Sequence, residues 1–108
     1  MPIFIKTEKF KDKTLELSNI ERKKFLLMHK EWVKNISNAG NYIHSGYLIN
    51  EKKMPGGGGL LILEAKDYLT AKKIIENDPM IKNNLVIWDL QEWILINGSQ
   101  PNFSNHLG

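Results

Sequence analysis

His29 is the side chain whose neighbours ask most of it. It lies in the stretch Phe25-Leu-Leu-Met-His29-Lys-Glu-Trp32-Val33-Lys-Asn-Ile36. At about 100° per residue, Phe25, Leu26, Trp32, Val33 and Ile36 fall within roughly 60° either side of it. An imidazole at the centre of a buried stripe needs a partner, because burying a lone polar group costs about 1–3 kcal/mol. Asp78 is the candidate. It precedes Pro79 at the predicted end of a helix, where the negative end of the dipole disfavours a bare carboxylate. Joined, the two make an orienter–base pair: the carboxylate fixes the tautomer and the imidazole moves a proton. A core histidine satisfied by a main-chain carbonyl would look the same in sequence, with Asp78-Pro79 acting only as a helix stop. No cysteine and no G-x-S-x-G elbow accompanies the pair. Proton abstraction or elimination therefore suits it better than acyl transfer.

His44 and Ser45 are further candidates, as substrate-binding residues on a predicted strand. Alternation sends Tyr42 and His44 to one face and Ser45 and Tyr47 to the other; packing residues with polar tips are the simpler alternative. His29, His44 and His106 lack metal-ligand spacing, so no metal is assigned, and no cofactor either. The run Pro55-Gly-Gly-Gly-Gly59 is not a phosphate loop. It lacks the following Lys-Ser/Thr, and a strand rather than a helix comes next. It is expected to be a mobile connection, with a lid as the sharper alternative.

These side chains must be positioned by a small set of elements. Ile3 to Lys9 has strand composition. Ser18-Asn-Ile-Glu21 is a capping-box signature that opens a helix over about 19–38, and Gly40 suits the left-handed position after it. Strands are expected over Tyr42–Ile49, Gly59–Ala65 and Leu85–Ile96, with a second helix over Tyr68–Asn77 capped by Asp67. The order βαββαβ predicts a ferredoxin-like α+β sandwich spanning residues 1–97, followed by a polar C-terminal tail at 98–108. That fold leaves one sheet face bare. Leu85, Ile87, Trp93 and Leu95 are expected there beside Asp89 and Gln91, too apolar for a solvated face. A second copy of the sheet is the simplest cover, giving a homodimer in the form of a dimeric α+β barrel.

Composition narrows the functional classes. The chain has 108 residues, 42% apolar and 25% charged, with net charge +3, which fits one globular domain. Its charges are interleaved, as in Glu8-Lys9-Phe10-Lys11-Asp12-Lys13. That reads as a solvated mixed surface, so no nucleic-acid partner is expected. The predicted third strand also lacks the aromatics on which an RNA-binding sheet stacks bases. No apolar run approaches the ~18 residues of a membrane span, and the N-terminus does not read as a signal peptide. The absence of cysteine fits a reducing compartment, and the cytoplasm is the expected location.

His29, Gly40, Gly46, the segment Ala71-Lys-Lys-Ile-Ile-Glu-Asn77-Asp78-Pro79 and a β-rich last strand together resemble the YCII-related family over roughly residues 3–96. The resemblance implies a dimeric α+β barrel and a His–Asp pair carried onto His29 and Asp78. Members of that family are mostly uncharacterised; one is a dehydrochlorinase acting on a chlorinated hydroxyhydroquinone. Two departures stand out. An arginine often found three residues before the histidine is Leu26 here, with Arg22, one turn earlier, as its candidate replacement in substrate binding. The glycine run is the other. The expected function is a lyase- or isomerase-type enzyme acting on a small, aromatic or hydroxylated substrate. The alternative is a non-catalytic ligand-binding or sensing dimer.

Overall fold

A computed structural model describes residues 1–98. The elements run β1 (Ile3–Phe10), α1 (Asp12–Leu15), α2 (Asn19–Asn38), β2 (Ile43–Ile49), β3 (Pro55–Glu64), α3 (Tyr68–Ile75), α4 (Pro79–Lys82) and β4 (Val86–Glu92). The strands form one antiparallel sheet in the order β2-β3-β1-β4. This is the expected ferredoxin-like α+β sandwich, with two one-turn helices added.

Local chemistry accounts for the element boundaries. Ser18 caps α2 by accepting the Glu21 amide at 3.2 Å, while Glu21 reaches back to the Ser18 amide. The helix ends before Gly40, whose φ of 95° is costly for a residue with a Cβ. Asp67 caps α3 through the Thr70 amide.

One face of the sheet carries the core. Phe4, Ile43, Leu61, Leu63 and Leu90 pack with Ala71 and Ile75 of α3, and Trp32, Val33 and Ile36 of α2 lie half-buried against them. A second cluster joins Met80, Leu85 and Val86 to Phe10, Leu17 and Phe25. Helix α2 has no fully buried residue. Leu26, expected in its buried stripe, is 56% exposed. The sheet beneath that end of the helix presents Gly58 and Gly59 with Glu8, Ser45 and Tyr47 around them, and a void remains where a packed layer was expected.

Three expectations change. The glycine run is strand, not connection: Gly58 pairs with Lys9, and Gly59 with both Glu8 and Tyr47. A Cβ built on Gly58 would lie 2.6 Å from the Glu8 carbonyl oxygen, so glycine is what lets β1 and β3 approach there. The turn instead falls at Asn50–Met54, with Lys53 at φ 62°. Strand β4 stops at Glu92, because its partner β1 begins at Ile3 and the Trp93 amide makes the last bond, to the Ile3 carbonyl. Leu85 does not face the bare side. It is 6% exposed, within the second cluster, and its amide bonds to the Met80 carbonyl.

The bare face still carries Leu48 and Ile87, exposed, and Ile5, Leu60 and Ile62, half-buried, beside Thr7, Asp89 and Gln91. No helix among the described residues is long and apolar enough to cross a membrane. The tail expected at 98–108 lies outside the described residues from 99 onward.

Two of the strand glycines, Gly58 and Gly46, separate in their tolerance. Gly58→Ala is expected to lower stability by about 1–3 kcal/mol, as for an overpacked site. Gly46→Ala, with nothing within 4 Å of the added carbon, should stay within about 0.5 kcal/mol. Urea unfolding of the two variants measures the difference.

Candidate functional site

The site is assembled from β1, α2, β2 and the turn between α3 and α4. Helix α3 is capped at Glu76, and Asp78 then becomes the N-cap of α4, with Pro79 at the first helical position. The Asp78 carboxylate accepts the Met80 amide at 2.9 Å. Its helix-end environment is thus the reverse of the one expected: Asp78 opens a short helix instead of closing a long one. Proline suits that first position because its missing N–H would have no intrahelical partner there.

The structure sets His29 Nδ1 2.8 Å from Asp78 Oδ1 and His29 Nε2 2.7 Å from Ser45 Oγ. Asp78 is fully buried, while the His29 side chain is 14% exposed. A carboxylate can only accept, so Nδ1 carries the proton toward Asp78 and the neutral ring presents the Nε2 lone pair to the Ser45 hydroxyl. Trp32 lies beside the imidazole with ring centroids 5.7 Å apart.

Behind this line stands a group that composition concealed. Lys6 is fully buried and donates from Nζ to Asp78 Oδ2 at 2.9 Å, and also to Glu8 Oε1. Its register opposite Leu61 and Leu90 turns it toward the helices. The charged residues of β1 are therefore not all solvated surface. The alternation Phe4, Lys6, Glu8, Phe10 was the available signal: a lysine between two aromatics on a core face requires a buried counter-charge.

Burial alone would push the Asp78 carboxyl up. The His29 hydrogen bond and the neighbouring Lys6 ammonium lead the contacts that outweigh it, and the net shift is downward.

The remaining candidates separate. Ser45 joins His29. Tyr47 faces the same side, while His44 is turned through the sheet to the other face, opposite Ile62. Arg22 donates from Nε to the Leu17 carbonyl at 3.1 Å and from Nη2 to that of Leu15, so its guanidinium is engaged by the chain leading into its own helix. Among the described residues no group of three or more His, Cys, Asp or Glu could hold a metal ion.

His29 and Ser45 open onto a pocket of about 340 Å³ between α2 and the sheet, walled by Leu26, Val33, Tyr47 and Met80 and floored by Gly58 and Gly59. Leu26, Tyr47, Gly58 and Met80 also border a second pocket of about 370 Å³, which Arg22 and Phe25 line. The pair thus has a largely apolar chamber on the helix side of the sheet, with polar groups at a few points.

No family model and no curated protein matches the chain. Among solved structures it is similar to 5-chloro-2-hydroxyhydroquinone dehydrochlorinase from Burkholderia phenoliruptrix in complex with 2,5-dihydroxybenzoquinone. The two are 21% identical, with a TM-score of 0.64, over 85% of this chain and 93% of that one. The likeness is one of fold. It agrees with the ferredoxin-like α+β architecture of the four-stranded antiparallel sheet and its helices.

Linkage gives the Asp78 network a definite pH signature. A depressed folded-state pKa contributes stability that is fully present above the unfolded value, about 3.9, and is lost as pH falls through the folded value. Asp78→Asn strands Lys6 beside Glu8 alone and removes this contribution. It should cost roughly 3–5 kcal/mol near pH 7 and flatten the acid limb of the stability curve below about pH 4. Urea unfolding of both proteins between acid and neutral pH provides the comparison.

Proposed function

We propose that this protein is a small lyase- or isomerase-type enzyme of the YCII-related kind, with His29 as general base and Asp78 as its orienting partner. The observation that carries this is the continuous line Asp78–His29–Ser45 opening onto an apolar pocket. Asp78 holds the Nδ1–H tautomer, so Nε2 is the atom that takes a proton. In an elimination, Nε2 removes a proton from a substrate hydroxyl or activated carbon. A leaving group on the conjugated carbon frame departs with its bonding pair. The positive charge gained by the imidazole is offset by Asp78 at 2.8 Å. Ser45 is the group through which Nε2 meets the pocket, and it positions or relays that proton. It lies within a paired strand, unlike the nucleophile of an α/β-hydrolase, which sits on a sharp strand-to-helix turn.

The fold shared with a dehydrochlorinase supports a small hydroxylated ring as substrate. The test is chloride release from 5-chloro-2-hydroxyhydroquinone, with His29→Gln as the control. The wild-type protein should turn the compound over, and His29→Gln should lower kcat by about 10²–10⁴-fold with an unchanged far-ultraviolet circular dichroism spectrum. Equal turnover by the variant would remove His29 from the mechanism. One feature favours the non-catalytic alternative, a ligand-binding or sensing dimer: both ring nitrogens already have protein partners. Under that alternative, His29→Gln lowers stability, and no turnover is seen with either protein.

The same proposal includes a homodimer through the bare sheet faces, supported by Leu48, Leu60, Ile62 and Ile87 on the side away from the helices. Light scattering at micromolar concentration should give twice the chain mass, and Ile87→Lys should halve it. A wild-type monomer would contradict the barrel arrangement.

A further inference from the structure

Glu8 is the one group of the buried ionic network, besides His29, that lines the pocket. Its side chain is 10% exposed, and Oε1 is taken by Lys6. No buried side-chain oxygen or nitrogen among the described residues lacks a partner, and no bond to Oε2 accompanies the one to Oε1. Oε2 therefore keeps accessible surface, on a residue that lines the pocket. The sequence makes room for this: a Cβ on Gly59 would already touch Glu8 Cγ and Cδ at 3.5 Å, so a side chain longer than alanine there would take up the space beside the carboxylate.

The charges of the network set what such an oxygen can receive. Lys6 is one cation facing two carboxylates, Asp78 and Glu8, and it is fully buried between them. With His29 neutral the group carries one net negative charge. Lys30 also lines the pocket, but it is an exposed side chain whose ammonium stays hydrated. The inner end of the chamber thus offers two acceptors, Glu8 Oε2 and, by way of Ser45, His29 Nε2. Its walls, Leu26, Val33, Tyr47 and Met80, are apolar or aromatic. An anion placed there would meet a carboxylate in a poorly solvated site, where like charges repel strongly. A hydroxyl would donate to it in a charge-assisted bond.

We propose that Glu8 is a ligand-binding residue of this pocket and that it selects a neutral ring bearing hydroxyl donors over both its ether analogue and a carboxylate. This rests on the pocket beside His29 being the working site, and it adds the residue and the chemistry that choose the ligand. Three probes of similar size separate the possibilities: hydroquinone, 1,4-dimethoxybenzene and benzoate, each titrated into ¹⁵N-labelled protein. Hydroquinone should shift the amides of Gly46, Gly58 and Gly59 and bind about 10- to 100-fold more tightly than the dimethyl ether, the range for a hydrogen bond to a charged group. Benzoate should bind more weakly than hydroquinone. Glu8→Gln, in which Lys6 retains Asp78 as counter-ion, should lower the hydroquinone-to-ether ratio at least about fivefold, because the charge assistance is lost. The wild-type ratio stands as a test even if that variant does not fold, since equal affinities for hydroquinone and its ether overturn the proposal. Tighter binding of benzoate than of hydroquinone overturns it too. If the pocket amides respond but the ratio is the same in Glu8→Gln, the Glu8 assignment fails while the pocket stands. If no pocket amide responds to any probe, the proposal falls with the pocket as a ligand site, and turnover by His29→Gln then judges the proton-transfer reading separately.

Discussion

A single buried carboxylate ties the parts of this fold that matter for function. Asp78 accepts the Met80 amide that starts α4, meets His29 of α2 at 2.8 Å, and receives Lys6 of β1 at 2.9 Å. A charge with no exposed surface is tolerated only when such donors replace its water. Each contact also fixes a different part of the chain. The Met80 amide holds the turn after α3, Lys6 holds the central strand beneath it, and the imidazole is held in one tautomer. Loss of the carboxylate would therefore disturb the stability of the fold and the orientation of the base together.

The pocket depends on a second constraint, which works by absence of side chains. Helix α2 is anchored to the core by Trp32, Val33 and Ile36, yet the sheet offers Gly58 and Gly59 under its earlier turns. Close pairing of β1 and β3 requires glycine at 58, and glycine at 59, paired with Glu8 and Tyr47 on the helix side, puts no side chain into the chamber under Leu26 and His29. Apolar walls around few polar groups are the usual make-up of a small-molecule site.

The order of elements and the helix caps could be read from the sequence because they are local. Ser18–Glu21 and Asp67 act within a turn, and period-two and period-3.6 patterns do not depend on distant residues. Trp32, Val33 and Ile36 beside His29 were legible for the same reason, whereas Leu26, expected in the same buried stripe, is exposed over the pocket. What escaped depends on pairing across the sheet. Glu8 looks like part of a mixed charged surface and Lys6 carries no assignment until register turns both toward the helices. The glycine run looked like a loop because glycine weakens a strand, and only the approach of the Glu8 carbonyl to Gly58 explains its place in one. Asp78 was assigned to the wrong end of a helix because α4 is a single turn, too short to leave a period. His44 and Ser45 were separated correctly by alternation, whereas the closeness of Ser45 to His29 is a tertiary fact.

The central claim is that Asp78 fixes the His29 tautomer so that Nε2 faces Ser45 and the pocket as the proton acceptor. Long-range ¹H–¹⁵N correlation spectroscopy of the imidazole, in alkaline buffer where the ring is neutral, reads this directly. The account predicts that His29 carries its proton on Nδ1 in the wild-type protein and loses that preference in Asp78→Asn. A proton on Nε2, or a tautomer mixture that is the same with and without the carboxylate, would contradict it.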